Sequence, residues 1–183
     1  SAGPLCACLL ARAGASVLRV RSVRRPDPTP AMSPRLHAWL DCGKQHLELD
    51  LESNSGREQL REELARCDVL VTSARPAALA RIGLDSEALT EWPEFIWAAI
   101  TAHGRDIDRV GFGDDCAAVG GLVKLVHGEP RFIGDALADP LTGLEGALAV
   151  LARRGDGRGA DRFGDGGRRG CLRPEGGIMR LCV

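Results

Sequence analysis

No stretch of this sequence approaches the roughly 18 consecutive apolar residues that a bilayer-spanning helix requires, so a membrane-spanning chain is not expected. The opening, SAGPLCACLLARAG, has no basic leader and carries Arg12 within its apolar stretch, so it is not expected to act as a targeting segment. Paired C-x-x-C sets are missing as well. The seven cysteines, Cys6, Cys8, Cys42, Cys67, Cys116, Cys171 and Cys182, are odd in number and scattered through apolar segments. That argues against a disulfide framework or a zinc site, and for reduced thiols in a cytoplasmic protein. Cys6 and Cys8 lie two apart, so on a helix they point in different directions and make a poor chelate. A net charge of −1 without a sustained basic stripe excludes the usual footprint of a nucleic-acid binder, RVRSVRR at 19–25 being the local exception. Trp39, Trp92 and Trp97 are too dispersed for a base-stacking platform. No G-x-G-x-x-G is present, so nothing points to a nicotinamide cofactor.

What is present suits a single domain with a real core: 183 residues, of which 44% are hydrophobic and 27% charged. Helical periodicity in PLCACLLARAG closes at Gly14 and is followed by strand alternation in SVLRV. After a proline-rich loop, PDPTPAMSP, the pattern repeats. HLELDL reads as a strand, NSGREQLREELARC as an amphipathic helix with Asn54 or Ser55 as N-cap, and DVLVT as a strand. PAALARIGL and SEALTEW read as short helices and EFIWAAI as a further strand. Strands separated by helices need crossover connections, which predicts an α/β fold: a mainly parallel, Rossmann-like sheet with helices on both faces. Such a sheet ordinarily supplies a strand before its first helix, so an N-terminal strand is expected to be missing here. From Gly155 onward the texture changes to GDGRGADRFGDGGRRGCLRPEGG, and two readings of residues 155–183 stand side by side. Composition gives a disordered Gly/Arg-rich tail. Back-translation of Gly159 to Cys171 with one nucleotide dropped instead permits Ala-Leu-Ile-Asp-Leu-Ala-Met-Ala-Asp-Val-Ala-Ala, the texture of an ordinary continuation.

The segment IGDALADPLTGLEGALAVLARR carries one acid, Asp139, just ahead of an apolar helical run. An acid there can be a cap, because a helix start has unpaired N–H groups and a favourable dipole, or a reacting group at the mouth of a pocket. Asp114 likewise suits an N-cap for CAAVGGL.

Four segments taken in order, AGPLCACLLARAGASVLRV, GKQHLELDL, REELARCDVLVTSARPAALARIGL and GDALADPLTGLEGALAVLARR, resemble the family III CoA-transferases, over residues 1 to about 159. That group includes formyl-CoA transferase, carnitine-CoA transferase and alpha-methylacyl-CoA racemase. The resemblance implies a larger enzyme with a Rossmann-like large domain, a smaller domain and two chains interlocked as a homodimer. Residues 1–154 would be the N-terminal part of the large domain, inactive and poorly soluble by itself. Its substrates would be an acyl-CoA and a carboxylic acid, with coenzyme A as the carried group and neither metal, nucleic acid nor membrane involved.

By the same resemblance Asp139 is the catalytic carboxylate. A carboxylate is already nucleophilic at neutral pH, so it can attack a thioester without a general base. The resemblance also places Ala2, Gly3 and Pro4 at the loop and helix start near CoA. Lys44 falls in a GK turn, Arg81 and Ile82 in ARIG, and His103 near the thioester channel. Arg81 suits a phosphate because a guanidinium forks onto its oxygens. Arg24, with Arg25, follows the strand SVLRV at the kind of edge where α/β sheets bind ligands, and can equally be part of a solvated basic loop. Relatives usually have an acid and then an arginine after this strand, where Arg21 and Ser22 stand here. Racemase relatives carry a histidine and an aspartate in the stretch that here reads Phe112, Gly113, Asp114 and Asp115. Two-base proton transfer would lack its natural shuttle, which favours a transferase.

Overall fold

In the computed structural model, residues 2–85, 96–155 and 180–182 are described. Helix α1 (Ala2–Arg12) buries Cys6, Ala7 and Leu10. It ends where Gly14 takes a left-handed φ of +98° and the Ala15 N–H returns to the Leu10 carbonyl, a closure that glycine makes without strain. Strand β1 (Ser16–Ser22) follows. The proline-rich stretch expected to be a loop is instead largely helical, forming α2 (Thr29–Met32) and α3 (Pro34–Asp41). Pro30 and Pro34 occupy first-turn positions, where no N–H is needed and the fixed φ suits a helix, and Pro28 is the N-cap of α2. Strand β2 (Lys44–Leu49) leads to α4 (Asn54–Leu64). The cap of α4 is Ser53, one residue before the expected Asn54 or Ser55: its Oγ accepts the Gly56 N–H at 2.9 Å.

Strand β3 (Val69–Thr72), α5 (Pro76–Ala80) and β4 (Ile96–Ala99) match three of the expected elements. The helix expected in SEALTEW lies outside the described residues. Beyond β4 come α6 (Gly113–Val119), a hairpin of β5 (Val123–Val126) and β6 (Glu129–Phe132), and α7 (Ala138–Gly155). The hairpin turns on His127 and Gly128, both at positive φ (54° and 83°), the geometry that matches strand twist.

Alternation along β3 shows how the layers form. Val69 and Val71 pack with Leu10, Val17 and Val150, while Leu70 between them packs with Leu49, Leu60, Leu64, Leu79 and Leu84. Successive strand residues face opposite ways, so these two clusters lie on opposite faces of the sheet. One is covered by α1 and α7, the other by α4 and α5. Full burial of an aliphatic side chain such as Leu10 or Leu64 contributes about 1.5–3 kcal/mol. α7 approaches α1 through two glycines: a Cβ on Gly143 would stand 2.8 Å from the Ala2 carbonyl, and one on Gly146 would stand 3.3 Å from Cys6 Sγ. The opposite side of α7 exposes Leu141, Leu144, Leu148 and Leu151.

The sheet has the order β2-β1-β7-β3-β4, all parallel. Its middle member, β7 (Arg180–Cys182), comes from the segment expected to be a disordered tail. The proposed frame shift at Gly159 to Cys171 lies outside the described residues. Among the described residues no helix is long and apolar enough to cross a membrane.

Candidate active site

In an open parallel sheet, ligands bind beyond the carboxyl ends of the strands, where chain leaving each strand turns away into helices. Here the segments after β3 and β4, the N-terminal turn of α1, the loop 107–112 and the starts of α6 and α7 enclose one cavity of about 650 Å³. Asp139, Ala2 and His103 line it together.

Asp139 lies in the first turn of α7 and is half-buried. Its N–H bonds the carbonyl of Ala136, which holds a left-handed φ of +47°. An alanine rarely adopts that conformation, and such local strain concentrates where a side chain must be aimed. Gly113, opening α6, packs directly on the carboxylate: a Cβ there would stand 2.5 Å from Asp139 Oδ1. Asp114 is not the N-cap of α6; Asp115 takes a capping role by accepting the Phe112 N–H at 2.8 Å.

The lining carries charge of both signs, Arg75 and Arg109 beside Asp114 and Asp139. Arg75 is only loosely paired with Asp108 at 3.8 Å. Asp108 also accepts the Ala77 N–H at the start of α5, which ties loop 107–112 to that helix. The turn after β4 is held by Thr101, whose Oγ1 accepts the Gly104 N–H at 2.9 Å. His103 packs beside Gly111, where a Cβ would come within 2.9 Å of its Nε2. Arg105 lies over the Trp97 ring at 5.0 Å, and Trp97 Nε1 donates to Thr72 Oγ1 at 2.9 Å.

The other residues singled out in the sequence lie elsewhere. Gly3 sits against Ser73, a cavity residue, with space for no Cβ. Pro4 uses its carbonyl to accept the Lys44 ammonium at 2.9 Å. That Lys44 side chain is fully buried, and burial lowers its pKa. Its contact in this structure is internal, anchoring α1 to β2. Arg24 forks onto Asp50 with two bonds of 2.9 Å. Arg81 is exposed just beyond α5, and Ile82 packs on the α4/α5 side of the sheet. None of these six lines the cavity. The basic cluster at 19–25 is internally neutralised, because Arg19 bonds Asp27 and Asp41 and Arg21 bonds Asp41.

Sequence reasoning missed Arg75 and Arg109. Arg75 carried a usable signal, since it follows a strand by three residues in SARP. Arg109 carried none, because only the fold of loop 107–112 brings it to the cavity that Asp139 lines; Gly113 lies in the stretch read for its missing histidine, but its packing on Asp139 was not foreseen.

Comparison with known proteins adds three findings. The family model described as CoA-transferase family III matches residues 1–162. A succinyl-CoA–L-malate CoA-transferase beta subunit from Chloroflexus aurantiacus is 34% identical over 165 residues, covering 82% of this chain and 41% of that protein. A formyl-CoA:oxalate CoA-transferase from Rhodopseudomonas palustris is 29% identical, covering 98% and 44% respectively. Among solved structures, a hypothetical protein from Mycobacterium tuberculosis superposes with a TM-score of 0.73 at 24% identity, covering 100% of this chain and 50% of that one, which is a likeness of fold. The chain thus spans less than half the length of these curated relatives.

Proposed function

Because the chain belongs to CoA-transferase family III, we propose that it carries the acyl-accepting part of an enzyme that moves coenzyme A between carboxylic acids, with Asp139 as the nucleophile. One observation carries the proposal: the half-buried Asp139 carboxylate opens from the first turn of α7 into a cavity of about 650 Å³ whose walls include Arg75 and Arg109. That volume suits an organic substrate, and guanidinium groups suit the phosphates of CoA.

In the proposed reaction an Asp139 oxygen attacks the thioester carbonyl of the donor. The C–S bond breaks, CoA leaves as thiolate, and a mixed anhydride remains on Asp139. The thiolate then attacks the aspartyl carbonyl, releasing the donor acid as carboxylate and leaving an aspartyl-CoA thioester. The incoming carboxylate attacks this thioester, expels the thiolate and forms a second anhydride. Attack of the thiolate on the new acyl carbonyl gives the product thioester and restores Asp139. No step requires a proton, so no neighbouring base is needed. The N-terminal end of α7 favours the anion between turnovers. That Gly113, which brings no base, packs on the carboxylate supports transfer over proton exchange at an alpha carbon.

The proposed enzyme is a homodimer, and the exposed leucines 141, 144, 148 and 151 on α7, at heptad-like spacing, support association with further polypeptide. Ala2 and His103 are proposed to contact the substrate directly, and Gly3 and Pro4 to shape its entrance. Incubation of the full-length enzyme that contains this chain with an acyl-CoA and hydroxylamine should convert the Asp139 side chain to a hydroxamate, read by peptide mass spectrometry, and Asp139→Ala should abolish capture. Equal capture in Asp139→Ala would refute the assignment.

A further inference from the structure

The cavity wall formed by loop 107–112 owes its place to few contacts. Every residue from Ile107 to Asp114 except Asp108 lines the cavity. Among the described residues, no backbone–backbone hydrogen bond involves residues 108–111. A segment without such bonds opens at little cost, so its position rests on side-chain tethers and packing. At one end, Gly111 lies against the turn after β4: a Cβ there would stand 2.5 Å from Ala102 Cβ and 2.9 Å from His103 Nε2. At the other end stands Asp108.

Asp108 joins the loop to the segment after β3, which forms another wall of the cavity. Its Oδ1 accepts the Ala77 N–H at 3.3 Å, and its Oδ2 lies 3.8 Å from Arg75 Nη1. Arg75 and Pro76 both line the cavity, so one carboxylate links two walls without itself being part of the lining. The two contacts differ in weight. An ion pair at 3.8 Å between side chains that are 53% and 45% exposed is screened and holds little. A hydrogen bond from a backbone N–H to a charged acceptor is the stronger kind. The Ala77 bond therefore places the loop. The charge only aims the Arg75 guanidinium, which at 3.8 Å is beyond hydrogen-bond reach of that oxygen.

We propose that Asp108 is a positioning residue for the transfer reaction: its bond to Ala77 fixes loop 107–112 and so sets the placement of Arg109 relative to Arg75 around the cavity. The role requires no contact with substrate. It rests on the reading of this cavity as the CoA site, in which those two guanidinium groups meet phosphates. The phosphates of CoA are remote from the bond that changes, so the groups that hold them bind ground state and transition state alike. Loss of the tether should then raise KM and leave the saturated rate in place.

The test compares Asp108→Ala with Asp108→Asn in the full-length enzyme that contains this chain. Asparagine keeps an oxygen for the Ala77 N–H and loses only the charge. In Asp108→Ala, hydroxamate formation should show a KM for acyl-CoA raised about tenfold, the scale of one hydrogen bond to a charged group, with the saturated rate and the urea midpoint nearly unchanged. Asp108→Asn should stay within about threefold of the unaltered KM, because only a screened ion pair is lost. In the absence of substrate, trypsin should cut after Arg109 several times faster in Asp108→Ala than in Asp108→Asn. Both variants lack the charge, so the difference reports the lost bond. An unaltered KM in Asp108→Ala, an equal rise in both variants, or a fall in the saturated rate at constant KM overturns the proposal. If the unaltered enzyme forms no hydroxamate, the CoA reading fails, and trypsin alone decides the tether: equal cleavage of the two variants overturns it.

Discussion

Gly113→Ala isolates the position of the proposed nucleophile from the stability of the protein. The backbone of Gly113 is outside the left-handed region, so alanine meets no conformational obstacle of its own. The new methyl would stand 2.5 Å from Asp139 Oδ1 and 3.1 Å from its Cγ, inside the 3.4 Å at which ordinary contact begins. The carboxylate must retreat by roughly 1 Å, and a displacement of that size costs about 10²-fold in rate where reacting atoms have to be aligned. In barrier height this is about 2.7 kcal/mol. Stability should move much less, because crowding of about 1–3 kcal/mol is partly offset by up to about 1 kcal/mol from replacing glycine at a helix start. The assay is the rate of hydroxamate formation from an acyl-CoA by the full-length enzyme that contains this chain, set beside the urea midpoint of the same sample. Combining Gly113→Ala with Asp139→Ala should add nothing to the loss from Asp139→Ala alone, since both act through one carboxylate. Capture at the unaltered rate in Gly113→Ala would show that the reacting group lies elsewhere.

Further outcomes follow from the same contacts. Gly143→Ala places a methyl 2.8 Å from the Ala2 carbonyl and 3.0 Å from Leu5 Cβ, so it should lower stability by about 1–3 kcal/mol in urea unfolding. Lys44→Met leaves the Pro4 carbonyl without its donor and should cost about 1–3 kcal/mol, whereas Arg24→Ala, at an exposed ion pair, should leave the midpoint nearly unchanged. Burial pushes the Asp27 carboxyl upward, yet bonds from Thr29 and Arg19 outweigh it and hold the pKa at about 2, against 3.8 for a free side chain. A lowered folded-state pKa means the contribution is complete above the unfolded value and is lost as pH falls. Asp27→Asn should therefore lose stability at neutral pH and show a flatter decline from about pH 4 to pH 2 in acid-titrated thermal melts. An unchanged acid slope would disprove the role of the Arg19–Asp27 pair.

Much of the fold could be read from local pattern. The 3.6 period of PLCACLLARAG, the glycine after it and the alternation in DVLVT each report which side of an element meets apolar neighbours. Other elements were obscured for physical reasons. PDPTPAMSP looked like a loop because proline breaks helices, but Pro28, Pro30 and Pro34 lie at helix starts. Of the site, Asp139, Ala2 and His103 were legible, and the structure brings them to one cavity. Lys44 is a lysine in a turn by sequence and an internal strut by structure, a distinction that depends on what α1 places over it.

The sequence by itself determined the helices α1 and α4, the strands β1 to β4, the parallel α/β class and an acid at the head of α7, because these follow from side-chain periodicity and capping within a dozen residues. Tertiary structure alone decided that residues 180–182 pair between β1 and β3, that Gly113 packs on Asp139, and that Arg75 and Arg109 line the same cavity. Backbone ladders pair almost any extended segments, so the choice of partner rests on the space and direction left by the assembled layers and is not written in the segment itself.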